Sequence, residues 1–339
     1  MNALKQLLNP VRYFGQKKAV ILMYHQICRK ATDPWELAVD PENFHGQLEF
    51  LKKNFEVVSL ADLVNALRKR RLKRNMLAIT FDDGFADNYI HAAPLLEWHQ
   101  VPATFFFATD PLRKPQYYWW DVLESIIFHA HHLPPALCSE IGGTRLQFQF
   151  HRGSTLTNQQ VSEIAQWTYG KPVNNERVAL YLRIWNLLKP LSADHQNRVL
   201  EDLRQWAGLE HFSCRHGATM QLYQMMRLSK NPLFAFGAHS VSHAMLAAHN
   251  EYEQKLEIEQ SKSFIEKALG KPINSFAYPY GNFNNVTKDL LVQSGYEYAL
   301  STEARAVTAD TDLFELPRLQ VKDWNAKDFS IKVREILQQ

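Results

Sequence analysis

Asp82 and Asp83 close the apolar run Met76 to Phe81, and Gly84 follows at once. A buried strand that ends in adjacent aspartates brings two like charges together and calls for a cation beside them. A divalent metal supplies that charge most simply. Far downstream, the apolar run Phe234 to Ala238 leads into His239-Ser240-Val241-Ser242-His243. Two histidines four apart can share one face of a helical turn and offer ring nitrogens to one ion. Taken singly, each motif also has an ordinary reading: a turn or helix cap for the aspartates, a surface coincidence for the histidines. Two more polar groups follow apolar runs in the same way, Tyr24-His25 and Tyr278-Pro279-Tyr280-Gly281.

The elements that must position these groups are strands at 19–24, 76–81, 103–108, 234–238, 275–278, 296–301 and 316–321. Helical patterns separate them at Phe44–Asn54, Leu60–Arg70, Tyr89–Trp98, Tyr252–Leu269 and Val286–Ser294, the last two closed by Gly270 and Gly295. Strands alternating with helical crossovers predict an α/β fold, an irregular (β/α) barrel of about seven parallel strands. In such a barrel the C-terminal strand ends meet on one face, which gathers clusters remote in sequence. The spacing breaks once, where about 125 residues part the third strand from the fourth, too long for a loop without structure of its own. Residues 110–232 therefore read as a mostly helical insertion, with helical stripes at Val178/Leu182/Trp185 and Val199/Leu203/Trp206 and one alternating strand at Arg145–His151. The division is a segment 1–18, a barrel of 19–109 and 233–339, and the insertion.

With 46% hydrophobic residues and eight tryptophans, the 339-residue chain can bury a large core, which excludes a disordered protein. A net charge of +3 is too small to argue for nucleic acid. Cys28, Cys138 and Cys214 form no CxxC pair, and a reducing compartment is expected. Residues 1–18 hold no apolar stretch of signal-peptide length, so a cytoplasmic enzyme is expected. Ala3–Phe14 reads either as a basic amphipathic helix resting on a membrane or as a helix across the barrel bottom.

Taken in order, Thr80–Gly84 (TFDDG), His239–His243 (HSVSH) and Phe276–Gly281 (FAYPYG) resemble the three motifs of the polysaccharide deacetylase family, the NodB-homology or chitooligosaccharide deacetylase group. The resemblance covers residues 19–109 and 234–321. It implies a metal-dependent carbohydrate N-deacetylase. Asp83, His239 and His243 would bind the metal, zinc first, with cobalt, nickel and manganese also acceptable to such ligands. Asp82 would be the general base toward metal-activated water. The backbone N–H of Tyr280 would hold the oxyanion, and His25 would protonate the leaving amine. The family's third motif usually opens with an arginine where this chain has Ala277. Arg318 is the candidate replacement, with a surface ion pair as its ordinary alternative. No histidine follows His249, so the family's C-terminal histidine is missing too. The implied substrate is an N-acetylated amino sugar or glycan precursor, lipid- or nucleotide-linked if the enzyme is cytoplasmic. A related amide or ester hydrolase and a glycan-binding barrel without turnover are the alternatives.

Tyr117-Tyr118-Trp119-Trp120-Asp121 opens the insertion. Trp119 reads as an anchor to the barrel, Trp120 and Asp121 as substrate contacts. His129, His131 and His132, followed by two prolines, read as a solvated helix end. The run Arg68 to Arg74 reads as a solvent-facing helix C-terminus, or as a patch for an anionic membrane.

Overall fold

All seven expected stretches contain a strand, the last two shortened to three and two residues. The computed structural model describes residues 17–114, 117–211, 214 and 217–338, so the Ala3–Phe14 segment lies outside the described residues. The strands are β1 (Val20–Tyr24), β2 (Met76–Phe81), β3 (Ala103–Phe107), β4 (Phe234–Ala238), β5 (Ser275–Ala277), β6 (Tyr298–Leu300) and β7 (Leu319–Gln320). Their spatial order is β6-β5-β4-β3-β2-β1-β7, every neighbouring pair parallel, as strands buried on both faces and joined by helical crossovers require. A two-residue strand that the sequence pattern does not signal, Glu56–Val57, pairs with β2 as well. A parallel bridge between Leu300 and Leu316 draws the two ends of the sheet together at the entry to β7.

Register decides what shares the barrel mouth. Tyr24 lies opposite Phe81, Phe81 opposite Phe105, Phe107 opposite Ala238 and Ala238 opposite Phe276. His25, Asp82, His239 and Tyr278 each follow one of these strand ends and emerge together. The two-residue period splits the side chains between two cores. Leu77, Ile79 and Phe81 pack with the helices Pro41–Asn54 and Ala93–His99, whereas Met76, Ala78 and Phe106 pack with Leu60, Leu63, Val64 and Leu67 of the helix Leu60–Arg68. Asp82 continues the second set.

Among the described residues the insertion contains four helices of seven or more residues, but it opens with short helical turns and also carries an antiparallel hairpin, Ala136–Ile141 with Thr144–Gln149. Its own core includes Leu123, Ile127, Leu146, Tyr181 and Leu188, all buried. Arg177, completely buried, ties it together by donating to the carbonyls of Ile127, Ala130, Gly153 and Ser154. The basic run behaves as a surface feature with partners: Arg68 pairs with Glu297, Arg70 with Asp310 and Lys73 with Glu56. Among the described residues no helix is long and apolar enough to cross a membrane.

Candidate active site

Each polar group at the mouth is held by backbone that the strand cannot continue. Asp83 and Gly84 both have positive φ, 68° each, which turns the chain sharply off β2. A side chain at position 84 has no room, because a Cβ would sit 2.4 Å from the Phe107 ring. Tyr118, from the insertion, donates its hydroxyl to the Asp83 carbonyl at 2.6 Å and fixes the turn from the other side. Gly237 in β4 is equally constrained, since a Cβ there would meet Phe106 at 2.3 Å.

The histidine motif does not form the helical turn expected from its spacing. Ser240 and His243 have φ of 66° and 60°. The reason lies in Glu257 on the helix Glu251–Leu269, whose carboxylate accepts from the N–H of Val241, the N–H of Ser242 and the Ser242 hydroxyl. The carbonyls of Ser240 and Val241 are taken as well, by the N–H groups of Thr109 and Asp110, so they cannot serve an i to i−4 ladder. The result still brings His239 and His243 together, with ring centroids 4.7 Å apart. Four of the eight non-glycine residues with positive φ among the described residues belong to this site: Asp83, Ser240, His243 and Tyr280. Such a concentration of costly backbone marks a place where geometry is imposed by the surroundings.

Asp83, His239 and His243 are buried, and one ligand atom from each falls within 4.8 Å of the others. Nε2 of His239 and Nε2 of His243 stand 3.3 Å and 3.2 Å from Asp83 Oδ1, which has no hydrogen-bond donor among the described residues. His239 donates Nδ1–H to the Ala277 carbonyl at 2.6 Å, which leaves Nε2 as its lone-pair nitrogen. An unpartnered buried carboxylate oxygen facing two imidazole nitrogens fits a divalent cation, and this donor set suits zinc and its first-row neighbours. Burial pushes the Asp83 carboxyl upward, but the facing histidines outweigh it and hold the group well below the usual carboxylate range.

Arg318 reaches Asp82. Completely buried, it places its two terminal nitrogens 2.8 Å and 2.7 Å from the two carboxylate oxygens, and its Nε donates to the Ser301 carbonyl. Burial raises the Asp82 carboxyl, yet Arg318 and His239 more than offset it, so the group is held ionised below its ordinary value. The guanidinium thus arrives from the strand entering β7, not from position 277. His25 lines the same cavity, its backbone carbonyl held by Asn88 and its buried Nδ1 without a partner among the described residues. Burial lowers its pKa against the pull of Asp83 and Asp82.

The cavity around these groups measures about 240 Å³ and is lined by His25, Asp82, Asp83, His239, His243, Trp120 and Tyr280 together with Trp35, Trp185 and Lys189. Tyr280 and Trp120 stand over His243, their ring centroids 4.5 Å and 4.8 Å from it. Trp119 is an anchor, buried and donating its indole N–H to the Tyr280 hydroxyl. Asp121 requires a correction. It turns away into a separate cavity of about 310 Å³ with Lys30, Thr32 and Glu124, and pairs with Lys30 at 3.7 Å. Helical direction explains this, because neighbours Trp120 and Asp121 on the helix Trp119–Glu124 cannot face the same way. Sequence reasoning misses Trp35, Trp185 and Lys189. Trp185 belongs to the apolar stripe already visible in the insertion, whereas nothing local distinguishes Trp35 or Lys189 from surface residues.

Comparison with known proteins bears on the family and the fold. A family model described as polysaccharide deacetylase matches residues 69–135 and 210–299. The poly-beta-1,6-N-acetyl-D-glucosamine N-deacetylase of Staphylococcus epidermidis is 20% identical over 350 residues, covering 97% of this chain and 90% of that protein. The Streptococcus pyogenes deacetylase PplD, solved in complex with acetate, superimposes with a TM-score of 0.59 at 18% identity, over 94% of this chain and 99% of the other. IcaB from Ammonifex degensii gives 0.57 at 16% identity, over 96% and 98%. At such identities the two structures speak for the fold, an irregular (β/α) barrel.

Proposed function

For a chain that carries the polysaccharide deacetylase domain, we propose a metal-dependent hydrolase that removes the acetyl group from an N-acetylated amino sugar. The observation that carries this reading is the pairing of two differently equipped carboxylates at one strand end. Asp83 faces His239 and His243 as a ligand set, while Asp82 is clamped by Arg318 and kept free of the ligand role. When bound, the cation polarises the acetyl carbonyl and acidifies water.

Asp82 takes a proton from the water that attacks the carbonyl carbon. Its ionised form is available for this because Arg318 stabilises it in a buried setting. In this mechanism the backbone N–H of Tyr280 donates to the oxygen on which charge builds. His25 delivers a proton to the nitrogen as the C–N bond breaks, and acetate and a free amine are the products. Tyr280 and Trp120 offer ring faces to the apolar side of a pyranose. Cytoplasmic placement is part of the same proposal, and fractionation of the tagged protein tests it.

Acetate release from a panel of N-acetylated sugars, O-acetylated sugars and cyclic amides, measured with metal content, tests the reading. The expected result is N-acetyl sugar turnover by the wild type and none by a correctly folded Asp82→Asn variant. Turnover of esters alone would favour the related hydrolase. Glycan binding with equal inactivity in both proteins would favour a binding barrel.

A further inference from the structure

Lys189 is the cation that the deacetylase machinery leaves over. It follows the helix Glu176–Leu188 and lines the same cavity as Asp82 and Asp83. Its Nζ lies 4.6 Å from the Tyr280 ring centroid and 4.9 Å from that of Trp185. Among the described residues no carboxylate stands within ion-pair distance of it, and burial alone lowers its pKa, with no acid drawing it back. The other charges at the mouth are matched: Arg318 by Asp82, and Asp83 by the imidazoles and the cation they suit.

A half-buried ammonium without a counter-ion carries a desolvation cost that ring faces repay only in part. An anion at this point would repay the rest. The Tyr280 ring touches both parties, its centroid 4.5 Å from the His243 ring and 4.6 Å from Lys189 Nζ, so the ammonium and the ligand set are one aromatic ring apart. A single sugar residue bridges that span. Trp185 is braced by Trp35, with ring centroids 4.2 Å apart, and Trp35 is braced in turn by an indole N–H bond to the Tyr181 hydroxyl. The wall that carries Lys189 is therefore rigid. A volume of about 240 Å³ suits one sugar with its substituent, below the ~300–1,000 Å³ of pockets that enclose larger ligands.

We propose that Lys189 is a specificity residue that ion-pairs with an anionic oxygen group, phosphoryl or carboxylate, on the acetylated sugar, so that the substrate is an anionic N-acetyl sugar. This rests on the deacetylase reading for the orientation of the acetamido group, but the recognition step can be measured without turnover. Chelator-treated protein is titrated calorimetrically with N-acetylglucosamine 1-phosphate, with N-acetylmuramic acid and with neutral N-acetylglucosamine.

The wild type is expected to bind one of the anionic sugars about tenfold more tightly than the neutral one. Which of the two is preferred identifies the source of the charge. The preference should fall away in Lys189→Met and in concentrated salt, and return in Lys189→Arg. Equal binding of neutral and anionic sugars by the wild type, binding of neither anionic sugar, or an equal loss for both classes in Lys189→Met would overturn it. If Lys189→Met does not fold, Lys189→Gln and the salt dependence of the wild type decide the same question. Loss of acetate release from every substrate by the metal-loaded enzyme, with the anionic preference intact, would sink the deacetylase reading and leave this one standing.

Discussion

Replacing Arg318 by Met tests whether the buried guanidinium is what makes Asp82 a base. The wild-type pair is bidentate, with both bonds shorter than 3 Å and both side chains almost wholly buried, so solvent screening is slight. Removing one partner of such a pair typically costs about 3–5 kcal/mol, because the other charge is left uncompensated. The Ser301 carbonyl and Thr80 hydroxyl also lose a donor. Asp82 responds by taking up a proton, since burial, the largest influence on it, already pushes its pKa upward.

The sign of the pH effect follows. In the wild type the folded carboxyl sits below its unfolded value, so the pairing stabilises fully above the ordinary carboxylate range and is lost as pH falls through the lowered value. The stability gap between wild type and Arg318→Met is therefore widest near neutrality and narrows in acid. Urea melts at pH 7 and pH 4 measure it. Arg318→Lys, a point charge without the fork, should recover only part. In a double-mutant cycle, Asp82→Asn/Arg318→Met should lose less than the sum of the single variants by several kcal/mol. Turnover in Arg318→Met should drop by about 10² or more at pH 7, with metal content unchanged. A wild-type melt and an unshifted pH–rate profile in that variant would refute the reasoning, because the guanidinium would then be decoration around a carboxylate held by something else.

Titrating chelated protein with zinc should raise Tm, because a ligand bound only by the native state at 100 times its Kd adds about 2.7 kcal/mol; His239→Ala and His243→Ala should abolish the rise, and a full rise in either would disprove the ligand set. His25→Gln should lose about 10²–10⁴ in kcat while still binding one metal ion, and loss of the metal would make His25 a ligand instead of an acid. Asp121, raised to about 7 by burial, with Glu124 and Asp83 adding to it and Lys30 opposing, binds a proton more tightly folded than unfolded. Its contribution to stability therefore declines as pH rises from the unfolded carboxylate value to about 7. Asp121→Asn should flatten the stability curve across that window by up to about 4 kcal/mol, and identical curves would show that the group titrates normally.

The barrel is legible in the sequence because most of its seven strands are apolar runs ended by polar residues, and two of the flanking helices carry a glycine stop, Gly270 and Gly295. Phe234–Ala238, for instance, needs no partner to be recognised as buried. The strand Glu56–Val57 escapes because two residues hold no period. The shape of the histidine loop escapes for a different reason. The spacing of His239 and His243 is compatible with a helical turn, but Glu257, fourteen residues beyond His243, holds the Val241 and Ser242 amides while Thr109 and Asp110 take the Ser240 and Val241 carbonyls. Adjacency suggests one role for Trp120 and Asp121, although a helix sends neighbours to different surfaces. Lys189 is invisible because its distinguishing property is the absence of an acid nearby, and absence in space has no sequence signature.

Arg318 and Ala277 expose the same limit from the chemical side. What Asp82 needs is a fork of N–H donors in a dry site, and several strand ends around the mouth are near enough to furnish it. Position 277 is committed differently: its carbonyl accepts from His239 Nδ1, orienting a metal ligand, and its small side chain packs with Phe106 and Leu300 in the barrel core. An arginine supplied from Arg318 passes beside that same Phe106 ring, its guanidinium 5.9 Å from the centroid, to reach the carboxylate. Ala277→Arg in an Arg318→Met background should therefore restore turnover only if the bulk beside Phe106 is relieved as well, for example by Phe106→Ala. Restoration without that relief would mean that the packing beside β5 leaves room for two arginine routes, and that steric exclusion is not what fixes Ala277.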